Sequence, residues 1–258
     1  MEDLRFSFVS TARRLNSEAS ATKKRHLHQP TNRPQRPTSR YLTTQEMEDF
    51  LPQYLARIGL DPTVSHPPTV ETLAAVQIAH LRSIPFENFD VVLRKQIDIG
   101  VPAVFEKLVV RQRGGYCFEQ NTLFMEALRR LGFEAVPVLC RVRWNRPKEV
   151  DTPFTHLVIL AMPPPPTGDA AGAEAQVRYL VDVGFGGLQC LSPLNVDAPG
   201  PEATGESGTY RLEPTDGGAY LTLQWQLRDD WHDMYKFANP RGRAARDVGA
   251  LLCDQQVR

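Results

Sequence analysis

Large apolar residues first recur at helical spacing over Met47, Phe50, Leu51, Tyr54, Leu55 and Ile58, which fall on one face of a helix. Thr43 and Glu46 stand ahead of that stripe at capping-box spacing, and Gly59 stands where such a helix ends. A second helix is predicted from Thr69 through Leu73, Val76 and His80, stopped by Pro85. A third begins around Cys117 and runs through Leu123, Phe124, Ala127, Leu128 and Leu131. Arg129 and Arg130 suit the negative end of its dipole, and Gly132 follows at the position of a left-handed terminal residue. After Phe133 the period changes to two, with Val136, Val138, Cys140, Val142 and Trp144 alternating along one strand. Further strands are predicted over 155–162, 178–183, 209–212 and 220–227. Two stretches, 163–176 with its four consecutive prolines and 196–208, read as loops. Helices first and strands afterwards predict an α+β chain with an antiparallel sheet or barrel.

Composition divides the chain further. The segment 1–42 is expected to be a disordered basic extension, because from Arg5 to Arg40 it holds nine Lys or Arg against one acid, Glu18. Its Arg- and Ser-rich character also resembles a mitochondrial transit peptide, although Glu2 and Asp3 count against that. A helical subdomain is expected over 43–133 and a β-barrel subdomain over 134–240. The tail 241–258 is atypical, Arg-rich with one short apolar cluster over 248–253. Thirty basic residues balance thirty acidic ones, which argues against a nucleic-acid partner or an anionic surface. Apolar runs such as 157–162 are far too short to cross a bilayer. The four cysteines lie far apart, at neither disulfide-framework nor zinc spacing, which predicts a reducing, cytoplasmic compartment and no metal. Nothing in the sequence addresses oligomeric state.

Chemistry concentrates around Cys117. In Arg113-Gly114-Gly115-Tyr116-Cys117-Phe118-Glu119-Gln120-Asn121 a glycine pair lets the backbone turn just before a helix. A cysteine at a helix N-terminus faces unpaired N–H groups and the positive dipole end, which favour the nucleophilic thiolate. A small buried core residue is the plainer alternative. A thiolate also needs a base and a group to orient that base. His156 opens the strand Thr155-His156-Leu157-Val158-Ile159, and Asp182 interrupts the apolar run Leu180-Val181-Asp182-Val183, where a carboxylate needs a partner. If those strands pair, His156 and Asp182 project from one face at adjacent positions.

These residues resemble the arylamine N-acetyltransferase family. Arg113-Gly114-Gly115-Tyr116-Cys117 is similar to its RGGxC signature, and Ile84-Pro85-Phe86-Glu87-Asn88 to its PFEN segment. Thr155-His156-Leu157 and Val181-Asp182-Val183-Gly184-Phe185-Gly186 are similar to its THL and VDxGFG strands. The resemblance implies a papain-like cysteine-nucleophile fold, an N-terminal helical subdomain followed by an antiparallel β-barrel. It implies Cys117 as the acylated nucleophile, His156 as its base and Asp182 as the group orienting the imidazole. Phe185, Thr155 and Tyr116 would contact the acceptor, and Thr152 and Pro153 would approach coenzyme A. Arg113 and Glu87 would form a supporting ion pair beside Gly114 and Gly115. The implied co-substrate is acetyl-CoA or another short acyl-CoA, and the implied acceptor an arylamine, hydrazine or arylhydroxylamine. The similarity fades after Phe237, so the family's C-terminal helical region is expected to be truncated. Two other readings stay open: a catalytically impaired or silent relative with an incomplete CoA site, and a papain- or transglutaminase-like thiol hydrolase. The C-G-[SA]-C-[WY] surroundings of a papain-type cysteine are absent around Cys117.

Overall fold

The computed structural model describes residues 48–165, 176–200 and 203–241. The basic extension, the capping box of Thr43 and Glu46, the centre of the proline-rich loop and the tail beyond Arg241 lie outside the described residues. So do the truncation and the targeting segment expected from them.

The three predicted helices are present. Helix α1 (Phe50–Arg57) buries Phe50, Tyr54 and Leu55. Helix α2 (Val70–Ser83) starts at Thr69, whose hydroxyl accepts from the Thr72 N–H at 3.3 Å, and stops two residues before Pro85. Two elements follow that were not predicted. The short helix α3 (Phe89–Val92) buries no residue, and α4 (Val101–Phe105) runs into a π-helical turn, Glu106–Val110. Val101, Val104, Phe105, Leu108 and Val109 nevertheless keep helical spacing, and the last four are buried. Helix α5 (Cys117–Arg130) buries a broad face that includes Leu123, Phe124, Ala127 and Leu128.

Among the described residues eight antiparallel strands follow: β1 (Glu134–Val142), β2 (Phe154–Met162), β3 (Tyr179–Val181), β4 (Leu194–Asn195), β5 (Ala203–Gly205), β6 (Gly208–Thr215), β7 (Tyr220–Leu227) and β8 (Asp230–Ala238). They form one sheet in the order β4-β3-β2-β1-β8-β7-β6-β5. The loop expected over 196–208 therefore contains a strand, since Ala203 pairs with Tyr210 and Gly205 with Gly208. Its three small or polar residues carry no alternation, and the neighbouring strand alone decides the pairing.

Strand β2 is buried at every position from His156 to Met162 because apolar material covers both of its faces. Ile159 and Ala161 pack with Leu123, Phe124 and Leu128 in a core beneath the helices. Val158 and Leu160 join Val138, Leu212, Leu223, Tyr235 and Phe237 in a second core on the other face of the sheet. The sheet is thus the wall between two cores. Among the described residues no helix is long and apolar enough to cross a membrane.

One polar chain crosses the helical core. The Tyr54 hydroxyl meets His80 Nδ1 at 2.9 Å, His80 Nε2 meets Gln120 Oε1 at 2.8 Å, and Gln120 Nε2 donates to the Pro85 carbonyl at 2.9 Å. Burial holds the His80 imidazole down to about 4, the bond to Gln120 offsetting it only in part. The unfolded chain therefore takes up a proton near pH 6.5 that the native state refuses until about pH 4. Stability falls as pH falls through that window, by about 3 kcal/mol from this group. Urea denaturation at pH 7 and pH 4 should show that loss, and His80→Gln, which cannot titrate, should decline less steeply. Equal declines in the two proteins would rule out His80 as its source.

Candidate active site

The segment ahead of α5 is held by its own backbone. The Glu87 N–H donates to the Gly115 carbonyl at 3.0 Å and the Gly115 N–H to the Pro85 carbonyl at 3.4 Å, so that Phe86 and Gly115 form a parallel bridge. A Cβ on Gly114 would stand 2.2 Å from the Pro85 carbonyl oxygen, so only glycine allows this approach. Cys117 is therefore delivered as the first residue of α5, with the first-turn N–H groups around it. Its sulfur lies 3.7 Å from the Thr155 carbonyl, at the mouth of β2.

From the sheet side, His156 Nε2 lies 2.7 Å from Asp182 Oδ2, and both side chains are buried. Strand β3 ends at Val181, one residue before Asp182, rather than continuing to Val183 as predicted. The cause is local: the Val183 N–H turns away from the ladder to donate to the Asn121 side-chain oxygen at 3.1 Å. Asp182 Oδ1 accepts from the Gly184 N–H at 2.8 Å and from Asn121 Nδ2 at 3.0 Å. A Cβ on Gly184 would meet the Cys117 Cα at 2.7 Å, so this glycine lets the Asp182 loop rest directly on the helix start. Burial disfavours charge on both His156 and Asp182, but their mutual attraction prevails. The imidazole is raised well above its ordinary value by Asp182 and Cys117, and the carboxyl is lowered by His156, Asn121 and Gly184. Both shifts favour the ion pair, an imidazolium beside the Asp182 carboxylate and next to the Cys117 sulfur.

Phe185 stands edge-on to His156, with ring centroids 5.3 Å apart, and Tyr235 of β8 packs on both rings at 5.0 and 5.4 Å. Gln189 closes the loop, accepting from the Phe185 N–H at 3.0 Å and donating to the Asp182 carbonyl at 2.7 Å. Tyr116 is half-buried beside Phe118, and burial next to Cys117 and Glu119 pushes its phenol up to about 12. Thr155 is exposed at the same mouth. The predicted CoA contacts divide. Thr152 is buried and its hydroxyl donates to the Val142 carbonyl at 2.8 Å, closing the β1–β2 hairpin, whereas Pro153 is exposed. Arg143, also buried, grips the same connection by donating to the carbonyls of Pro147, at 2.7 Å, and Val150.

The expected ion pair is one edge of a larger cluster. Arg113 reaches Glu87 at 2.5 Å and Asp90 at 3.2 Å. Lys107, presented by the π-helical turn, reaches Glu119 at 2.7 Å, Asp90 at 2.9 Å and Glu87 at 3.8 Å. Glu119 in turn accepts from the Tyr116 N–H at 3.2 Å, capping the helix that carries Cys117. Burial disfavours the Lys107 charge, yet Glu119 and Asp90 raise its ammonium overall, while Lys107 and Lys95 hold the Asp90 carboxyl far below the carboxylate range. The sequence reading missed Lys107 and Asn121. Asn121 carried a signal, its spacing of one helical turn from Cys117, and Lys107 carried none.

Residues 69–246 match a family described as N-acetyltransferase. The chain is 42% identical over 200 residues to an arylamine N-acetyltransferase of Mycolicibacterium smegmatis, covering 76% of this chain and 68% of that one. It is 37% identical over 191 residues to the arylamine N-acetyltransferase / N-hydroxyarylamine O-acetyltransferase of Salmonella typhimurium, covering 74% and 62%. The chain therefore spans about two thirds of the length of the curated relatives it matches. Among solved structures, the Mycobacterium marinum arylamine N-acetyltransferase in complex with CoA is similar at a TM-score of 0.64 and 33% identity, covering 78% of this chain and 69% of that one. An M. smegmatis arylamine N-acetyltransferase structure shares the same TM-score and coverage at 40% identity.

The charge cluster makes a test of its own. Lys107→Met leaves the nearly buried carboxylates of Glu119 and Asp90 without their shared cation, and is expected to cost about 2–3 kcal/mol. Arg113→Ala removes a guanidinium that is 42% exposed and should cost less. Chemical denaturation of both variants checks the order, and a reversed order would mean that Arg113, rather than Lys107, is the keystone.

Proposed function

The chain belongs to the arylamine N-acetyltransferase family, and from that membership we propose that it carries a short acyl group from acyl-CoA to an arylamine, hydrazine or arylhydroxylamine through a thioester on Cys117. The observation that carries this reading is the 2.7 Å contact between His156 and Asp182, buried beside a cysteine at a helix N-terminus.

In the first half-reaction the Cys117 thiolate attacks the carbonyl carbon of the acyl-CoA thioester. First-turn N–H groups of α5 face the oxyanion that forms. The bond from carbon to the CoA sulfur then breaks, and the leaving thiolate takes the proton of the His156 imidazolium. In the second, the lone pair of a weakly basic amine attacks the Cys117 thioester. Neutral His156 takes the amine proton and the Cys117 sulfur leaves as thiolate, which restores the starting pair. Asp182 keeps its charge throughout, so the imidazole keeps its orientation and the imidazolium its counter-ion. The product of one half-reaction leaves before the second substrate reacts, which is ping-pong order.

Phe185 and Tyr235 give the reacting centre an apolar wall suited to an aromatic amine. Toward the donor, Pro153 and the exposed basic residues Arg146 and Lys148 lie on the β1–β2 connection, where a polyphosphate would be met. The Thr152 hydroxyl is already engaged by Val142, so the side chain of Thr152 supports the hairpin rather than the donor.

Intact-protein mass spectrometry after mixing with acetyl-CoA or malonyl-CoA tests the reading. An acyl adduct should form in the wild type, be absent from Cys117→Ala, and be discharged by an added arylamine. An adduct lost at the same rate with and without the amine would identify a thiol hydrolase instead. No adduct from a folded protein would identify a catalytically silent relative.

A further inference from the structure

Asn121 lies four residues after Cys117 on α5, so its side chain leaves the same face of the helix one turn below the sulfur. It is fully buried, and its amide is fully used. One N–H donates to the Leu157 carbonyl at 2.7 Å and the other to Asp182 Oδ1 at 3.0 Å, while the side-chain oxygen accepts from the Val183 N–H at 3.1 Å. Leu157 follows His156 and Val183 follows Asp182 in the chain. The two demands fix which way the amide points, because a carbonyl needs a donor and an N–H an acceptor. One side chain thus joins the helix carrying the nucleophile to the backbone immediately next to the base and immediately next to the acid.

The bond to Oδ1 also decides how the carboxylate is shared. With Oδ1 held by Asn121 and the Gly184 N–H, Oδ2 is the oxygen left for His156, at 2.7 Å. A packing residue of similar size, such as leucine, would fill the volume but leave the Leu157 carbonyl, the Val183 N–H and Asp182 Oδ1 short of a partner.

We propose that Asn121 is the positioning residue of the triad, setting the separation of Cys117, His156 and Asp182 by holding Asp182 Oδ2 on the imidazole and α5 on strand β2. The proposal rests on the reading of Cys117 as a thiolate nucleophile, and its test needs neither acyl donor nor amine. The other titratable groups around Asp182 are Cys140 on β1, Cys190 on the loop after β3 and Tyr235 on β8. Burial raises all three, Cys190 to about 11, so they stay neutral through the pH range used.

Alkylation of Cys117 by iodoacetamide is followed by intact mass between pH 6 and pH 9, with Cys117→Ala as the blank for the remaining thiols. On the proposed function the wild-type rate should stay nearly level, because the first-turn N–H groups of α5 and the His156–Asp182 pair held beside the sulfur both favour the thiolate. In Asn121→Leu, and in the smaller Asn121→Ser should the leucine variant fail to fold, the rate should fall about tenfold at pH 6.5 and climb with pH as an ordinary thiol does. Leu128→Ala, a core truncation on the same helix away from the triad, should lower the melting temperature without changing the profile. Asn121 variants that melt lower but keep the wild-type profile would make Asn121 a packing residue and overturn the proposal. A wild-type thiol that itself titrates as an ordinary cysteine would overturn both this and the proposed function. A level wild-type profile with no acyl adduct would remove only the transferase.

Discussion

A carboxylate with almost no solvent contact stands at the junction of helix and sheet, and the rest of the site follows from the need to keep it charged. Asp182 would be neutral in an apolar interior without compensation, since burial alone pushes its carboxyl upward. Its partners are the imidazole of His156 from β2, the amide of Asn121 from α5, the backbone N–H of Gly184 from its own loop and the side chain of Tyr235 from β8, and the first three hold the carboxyl down. Each comes from a different segment, so the carboxylate is satisfied only when helix, strand and loop are all in place. Removing any one of them leaves a buried charge short of a partner, a larger loss than the bond itself is worth.

Two cores make that junction possible. Strand β2 separates them, sending Ile159 and Ala161 toward the helices and Val158 and Leu160 toward the curled sheet. His156 shares the side of Val158 and Leu160, which puts its ring among Phe185 and Tyr235 rather than under α5. Cys117 approaches from the other side, at the helix end, where Gly184 lets the two surfaces touch. Cys117, His156 and Asp182 therefore sit at the rim of both cores, dry enough to strengthen their electrostatics and exposed to solvent at Thr155.

Much of this was legible in the sequence because it depends on local rules. The stripe ending at Ile58, the Thr69 cap and Gly132, at φ +95°, after α5 all marked helix limits that the structure keeps. A polar residue in each of two apolar runs pointed to His156 and Asp182, and the β2–β3 pairing that was only a condition in the sequence is present. What escaped was non-local. The 101–109 stripe was present but lay under a π-helical turn whose purpose, presenting Lys107 to three carboxylates, is visible only in three dimensions. Strand β8 hides because a bulge at Met234, opposite Leu223 and Gln224, breaks the alternation of Tyr235 and Phe237 before it reaches Asp233. Strand β3 ended early because Asn121 took the Val183 N–H, a competition between side chain and ladder that no periodicity encodes.

The outer charge cluster bears on the inner one. Glu119 lies in the first turn of α5, where a carboxylate is favoured by the helix dipole and caps Tyr116. In that position it also opposes negative charge on Cys117, two residues away, for the same N–H groups and the same dipole end. An unpaired Glu119 would stabilise the helix at the expense of the thiolate. Lys107 resolves the conflict by standing 2.7 Å from Glu119, so that the carboxylate keeps its capping bond while its field is largely cancelled. The π-helical turn, a distortion that a regular helix would avoid, has a physical reason on this account: it brings one ammonium to Glu87 on the PFEN segment, Asp90 on α3 and Glu119 on α5 at once.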